Sequence, residues 1–329
     1  MIDFPQDSDF YINNIRDFVP SKIFDAHVHL YNTKHMNNHD LPNINTPQNV
    51  GINFFEQIMD QFLPGREIQA NCFPFPRKTL DLDLANKYIA EEVRGKPGFF
   101  HQMLISPQTS VRQIQTMVDI YGFRGLKCYH LFSKRKITQN SLIQEYLTEE
   151  QVEFANTEKM TITLHIVKPK SLADPENLET INRFAKEYPN MIIILAHAGR
   201  GFNSWNTING IDSLQRHENI FFDTSAITES GAFQAIINSF GHQRLLYGSD
   251  FPVSHILGRC IRIADEFIWL TAKTLQDFSK QNNINGVVPT LVGYESIMAL
   301  KEAAVLMNLS VNDIEDIFFN NAKNIQAFQ

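Results

Sequence analysis

Basic side chains are in deficit. The 329 residues carry 29 Lys and Arg against 36 Asp and Glu, a formal net charge of −7. Gripping a phosphate backbone needs clustered cations, so nucleic acid is not an expected partner. Cysteine is scarce as well: Cys72, Cys128 and Cys260 are odd in number and far apart. That argues against a disulfide framework and for a reducing, cytoplasmic setting. No apolar run approaches the about 18 residues that a membrane span requires, the longest being MIIILA at 191–196. The opening MIDFPQDSDFYINN is acidic and lacks the basic start and apolar stretch of a signal peptide. No G-x-G-x-x-G follows the first strand-like segment, and there is no repeat, low-complexity tract or Gly/Ser linker. A dinucleotide fold and a second domain are therefore not indicated.

What is present is a hydrophobic fraction of 43%, with 26 Phe. The length alone suggests about two domains, although α/β barrels often use such a length in one. Eight apolar or β-branched segments recur: KIFDAHVHL (22–30), EIQANCF (67–73), GFFHQMLI (98–105), FRGLKCY (123–129), MTITLHI (160–166), MIIILAHA (191–198), NIFFDTS (219–225) and RLLYGSD (244–250). Stretches with helical spacing lie between them, as at 81–95 and 173–188. Strands alternating with helices favour a parallel sheet. Eight such units predict an α/β fold of the (β/α)8 TIM-barrel type, a single domain over 1–329. Two stretches exceed a bare barrel: an Asn-, His- and Pro-rich insertion at 31–66, expected to overhang the active-site face, and a mostly helical extension at 260–329. Its apolar positions Ile297, Leu300, Ala304, Leu306, Ile314, Ile317 and Phe318 either cover the barrel or bury a homodimer interface.

The strongest chemical signal is Asp25-Ala26-His27-Val28-His29 at the end of the first strand. Side chains alternate across a strand, so Asp25, His27 and His29 share one side. Two converging imidazoles suit a divalent metal. A lone His-x-His is equally compatible with two ordinary histidines. His165, His197 and Asp250, however, end the fifth, sixth and eighth predicted strands, and in a barrel those ends share one rim.

The motifs D-A-H-V-H, T-L-H, L-A-H-A-G-R and Y-G-S-D-F-P together resemble the amidohydrolase superfamily, in its amidohydrolase-related branch of decarboxylases, lactonases and hydratases. The resemblance runs from about Lys22 through Asp250 and on to the terminal helix around Asn320–Phe328. It implies that His27, His29, His165 and Asp250 bind one divalent metal, zinc first, with manganese, iron(II) or cobalt as alternatives, and that His197 lies beside the bound water. Such an ion lowers the pKa of a bound water towards about 7 and polarises a carbonyl. Asp250 is then placed to accept a proton, and His197 to orient the water or act as general acid–base. The resemblance gives Lys127 one reading, a carboxylated bridge between two metals; the other, favoured here, is an unmodified cation that pairs with Asp25 or Asp250 or binds a substrate carboxylate.

Arg200 and Arg259 are candidates for a bidentate grip on an anionic substrate group, and Tyr129 and His130 for the pocket lining. Asp223 is a candidate to orient a ligand imidazole. Cys128 should face away from the barrel centre, and His35, His39, His101, His217, His242 and His255 match no motif. The expected function is hydrolysis of a small amide, lactone or related carboxylate-bearing compound. The alternatives are a metal-dependent decarboxylase or hydratase of an unsaturated or aromatic acid, and a metal-binding scaffold without catalysis. The expected partner is a small anionic molecule.

Overall fold

The crossover helices follow from local chemistry. Leu82–Val93 begins where the Asp81 carboxylate accepts the Leu84 N–H, and buries Ala85, Ile89 and Val93, three residues one turn apart. Val111–Tyr121 opens on a Ser110/Gln113 capping box and stops at Gly122, whose φ of 72° suits a residue without Cβ. Pro175–Glu187 has an Asp174 cap and proline in its first turn. A computed structural model describes residues 7–36, 47–282 and 289–325.

These helices link the strands β1 (Lys22–Asn32), β2 (Asn49–Val50), β3 (Glu67–Pro74), β4 (Phe99–Ile105), β5 (Gly125–Cys128), β6 (Thr161–Leu164), β7 (Ile192–Leu195), β8 (Ile220–Asp223) and β9 (Leu245–Leu246). The sheet order is β2-β1-β3-β4-β5-β6-β7-β8-β9, parallel throughout except for β2 on β1. The sheet curls so that β1 meets the chain leaving β9. Ala26 N–H donates to Tyr247 O at 2.8 Å, Asp250 N–H to His27 O at 2.9 Å, and His29 N–H to Phe251 O at 2.9 Å. The architecture is TIM-barrel-like, and those three bonds place the start and the end of the sheet side by side. A plug of Phe24, Ala26, Ile194, Phe221 and Leu246 is completed by Ala322 and Ile325 of the C-terminal segment. Asn71, Gln102, Thr161, Thr163 and Lys127 are buried on β3 to β6.

The described part of the segment 31–66 is not all overhanging insertion. Its second half is the helix Ile52–Phe62, which buries Ile52, Phe55, Ile58, Met59 and Phe62 and supplies the crossover from β1 to β3. Residues 37–46, including His39, lie outside the described residues. Phe62 is stacked on Tyr294 with ring centroids 4.5 Å apart, so Phe62→Ala opens a cavity in a dry core. We expect a loss of about 3–5 kcal/mol in urea-induced unfolding.

The extension also departs from expectation. Before its helices comes an antiparallel hairpin, β10 (Gly258–Ile263) and β11 (Glu266–Thr271), joined by the two residues Ala264 and Asp265. β-branched and aromatic residues dominate β11, with Phe267, Ile268, Trp269 and Thr271, which suits a pleated surface, while β10 carries Ile261 and Ile263. The helices Ala272–Asn282 and Val292–Leu306 follow. Ile297, Leu300, Ala304, Ile317 and Phe318 are buried against the barrel, whereas Leu306 is 56% exposed.

Candidate metal centre

β1 does not alternate evenly through its motif. The register against β3 slips between Asp25 and Val28, so three residues of β1 oppose two of β3. Asn71 Nδ2 donates to the Ala26 carbonyl at this bulge, at 3.3 Å. Asp25 lies under the bulge, its Oδ1 accepting His27 N–H at 3.1 Å and Ser249 N–H at 2.8 Å. Burial pushes its carboxyl up to about 7, and Oδ2 has no hydrogen-bond partner among the described residues.

His27 and His29 project into the barrel mouth beside Asp250. His27 Nε2 lies 3.5 Å and His29 Nε2 3.4 Å from Asp250 Oδ1. Donor atoms sharing a metal at about 2.0–2.2 Å stand roughly 3.3–3.6 Å apart in a tetrahedral set, so the separations fit a common ion. The tautomers fit as well. His27 Nδ1–H donates to Asp223 Oδ2 at 2.8 Å and His29 Nδ1–H to the Pro74 carbonyl at 3.1 Å. His197 Nδ1–H donates to the Ser225 carbonyl at 3.1 Å and to Ser225 Oγ at 2.8 Å. Because carbonyls and an ionised carboxylate only accept, all three rings keep the proton on Nδ1 and leave Nε2 as a lone pair. Burial, helped by the charge of Lys127, holds the His27 and His29 imidazoles below their usual range, and burial takes His197 down to about 4. Neutral imidazoles are the form that binds metal.

Asp223, at the end of β8, organises this set. Besides His27 it accepts His197 N–H at 2.8 Å and Ser225 N–H at 3.1 Å, and the Ser225 hydroxyl donates to it. Burial alone would raise its carboxyl; the His27, His197 and Ser225 contacts outweigh that and hold it well below the usual range. Ser225 has no motif of its own. The one signal for it is its place two residues after Asp223, where its backbone and side chain double back onto that carboxylate.

His197 and Arg200 sit on a turn that strand periodicity does not announce. His197, Ala198, Gly199 and Arg200 all have positive φ, between 51° and 68°. This left-handed turn directly follows β7 and sends both side chains towards the mouth. The backbone cost is about 1–2 kcal/mol per non-glycine residue. Arg200 Nη1 comes within 3.5 Å of His165 Nε2, and its Nη2 donates to Gln139 Oε1 at 3.1 Å. His165 therefore lies at the mouth, its ring 4.9 Å from that of His197, but outside the cluster of His27, His29 and Asp250.

Lys127 Nζ is 3.3 Å from His27 Nε2 and 4.5 Å from the centroid of Phe73, and burial brings its ammonium down to about 8. Tyr129 and His130 flank His165, with ring centroids at 4.4 and 5.6 Å. Burial raises the Tyr129 phenol to about 12, so it stays a neutral donor. Arg259 is engaged elsewhere: from β10 its Nη2 donates to the Thr228 carbonyl at 3.0 Å and its Nη1 lies 3.4 Å from Glu295. Cys128 packs in the hydrophobic core, away from these groups. The aromatic side chains of the hairpin roof the turn: Phe267 and Trp269 pack on Phe202, which stacks on His197.

A parallel α/β barrel with histidines and an aspartate gathered at one rim defines a class of metal-site proteins. Residues 24–256 match the family model described as Amidohydrolase (Amidohydro_2), and the chain belongs to this amidohydrolase family. An L-fucono-1,5-lactonase from Burkholderia ambifaria is 30% identical over 118 residues, a match spanning 30% of this chain and 39% of the lactonase's own length. Among solved structures, a zinc-bound amidohydrolase from Burkholderia multivorans superposes with a TM-score of 0.58 at 12% identity, over 92% of this chain and 98% of that one. A 2,6-dihydroxybenzoate decarboxylase from Rhizobium superposes with a TM-score of 0.54 at 16% identity, over 94% and 98%. At these identities the two structures speak for the fold. Among the described residues no helix is long and apolar enough to cross a membrane.

Proposed function

We propose that this protein is a metal-dependent hydrolase of a small, carboxylate-bearing carbonyl compound, with a cyclic ester favoured by the likeness to the lactonase. The observation that carries the reading is the convergence of His27 and His29 lone pairs on one oxygen of Asp250, at 3.5 and 3.4 Å. A divalent ion, zinc first, would be held by those three residues, with His165 as a further ligand through Nδ1, which has no hydrogen-bond partner among the described residues while Nε2 faces Arg200. When bound it acidifies a water towards pKa about 7 and polarises a carbonyl. Asp250 takes the proton of the attacking water and returns it to the departing ester oxygen, while His197, with Nε2 unprotonated, accepts a hydrogen bond from that water and orients it. Lys127 stays an unmodified cation, its Nζ 3.3 Å from His27 Nε2, and is a second group that would hold a substrate carboxylate.

Arg200 gives the substrate its anionic end. Its guanidinium is largely buried, its Nε has no hydrogen-bond partner among the described residues, and its bonded neighbours Gln139 and His165 are neutral. A largely buried guanidinium whose hydrogen-bonded neighbours are neutral favours a ligand carboxylate, which it grips in two places, although the Glu266 charge also reaches it. Tyr129 completes that wall.

The test is a panel of sugar lactones and dicarboxylate-derived lactones, followed by acid release, with protein stripped by dipicolinate and then reloaded. Hydrolysis should fall at least 100-fold on stripping and return with zinc or manganese. Full activity in metal-free protein, or carbon dioxide release from a carboxylated substrate without ester cleavage, overturns the reading.

A further inference from the structure

A second group of metal donors lies far from the mouth, where the turn before β9 meets the C-terminal segment. His242 Nε2 stands 3.3 Å from Asp313 Oδ1 and 3.2 Å from Asp316 Oδ2. The three donor atoms come from two parts of the chain and lie within 4.8 Å of one another. The separations from the imidazole match those of His27 and His29 from Asp250, and they are the edge lengths of donors around a common ion at about 2.0–2.2 Å.

Each carboxylate has one oxygen already committed. Asp313 Oδ2 accepts the Ser310 N–H and hydroxyl, both at 2.8 Å, closing a capping box, and Asp316 Oδ1 accepts Asn320 Nδ2 at 2.8 Å. The oxygen that remains on each points at the same ring nitrogen. The His242 backbone carbonyl is held in turn by Asn321 Nδ2 at 2.8 Å. Two carboxylates and a neutral imidazole carry two formal negative charges, which one divalent cation cancels. A proton on His242 would leave one charge over. The side chains are 14–34% exposed, which leaves room for waters to complete a coordination shell.

We propose that His242, Asp313 and Asp316 form a structural site for a divalent transition metal, separate from the rim. An imidazole among the donors selects zinc and its neighbours over magnesium and calcium. The ion would pin the segment 310–320 to the base of the barrel. That segment already touches β9's continuation through the Tyr247–Phe318 stack, at 4.6 Å, and the bond from Tyr247 N–H to Ile317 O at 2.9 Å.

The test is zinc stoichiometry on the full chain, stripped and then titrated, read by elemental analysis and by melting temperature. The wild type should bind two equivalents. His242→Ala and the near-isosteric Asp316→Asn should each weaken one of them at least tenfold and remove its share of the zinc-induced rise in melting temperature, while His27→Ala removes the other. Circular dichroism of Asp316→Asn without metal separates ligand loss from misfolding. One equivalent in the wild type, with His242 merely protonated between its two acids, overturns the site. So does a second equivalent that survives His242→Ala and Asp316→Asn but disappears with Lys127→Ala, which would place two ions at the rim. Loss of zinc in His27→Ala bears on the rim alone, so the two readings fail independently.

Discussion

Asp250→Asn is expected to leave a folded protein that binds metal at the rim at least 100-fold more weakly and turns over about 1000-fold more slowly. Asp250 is the vertex shared by both histidines, its Oδ1 lying 3.5 Å from His27 Nε2 and 3.4 Å from His29 Nε2. The amide keeps the shape but removes the charge that completes the donor set and the base that takes the proton. Asparagine is the right replacement for a backbone reason. Residue 250 has φ of 58°, a region that Asp and Asn tolerate far better than Ala, so Asp250→Ala adds about 1 kcal/mol of strain to the chemical loss. Asp250→Asn should melt within a few degrees of the metal-free wild type. Metal content by elemental analysis, melting by circular dichroism and turnover on the best lactone of the panel read the three effects separately. Unchanged turnover in Asp250→Asn removes this residue from the reaction.

Asp223→Ala should cost more in stability than any substitution at the metal itself. Its carboxylate is the common acceptor for His27 Nδ1–H, His197 N–H, Ser225 N–H and the Ser225 hydroxyl. Truncation strands these donors in a fully buried place, and about 3–5 kcal/mol is the usual penalty for breaking such a set from one side. Metal affinity should drop about 10–100-fold as His27 loses the contact that fixes its tautomer. The pH dependence carries a sign. Because the folded state holds this carboxyl below its ordinary 3.8, its contribution is present above that value and disappears as the pH falls through the folded one. Wild-type stability should therefore decline between pH 4 and pH 2 more steeply than that of Asp223→Asn in urea titrations at each pH. Parallel curves would show that the carboxylate contributes little.

Much of the rim is readable from strand ends. His27, His29, Asp223 and Asp250 each close a segment whose apolar pattern marks it as a strand, and a barrel brings such ends together whatever their distance in the chain. What escapes the pattern is backbone that leaves the strand geometry. The left-handed turn over His197–Arg200 has one compositional sign, Gly199, yet it sets Arg200 against His165. The hairpin β10–β11 turns through Ala264 and Asp265, lacking the Asn-Gly or Asp-Gly that usually announces a two-residue turn, so it reads as the start of a helical tail. The helix Ile52–Phe62 has its apolar residues at helical spacing, but the Asn- and Pro-rich stretch before it draws the whole segment into one apparent insertion. Ser225 is legible only through the company it keeps with Asp223.

The seam where β1 meets the chain after β9 is also where three of the proposed metal ligands meet: the Asp250 N–H that donates to the His27 carbonyl belongs to the residue whose side chain faces both histidines. Biosynthesis therefore delivers His27 and His29 more than two hundred residues before Asp250. No nascent chain shorter than residue 250 can own the site, and metal capture reports on barrel closure rather than on translation of the D-A-H-V-H motif. The ion becomes a checkpoint on a finished sheet.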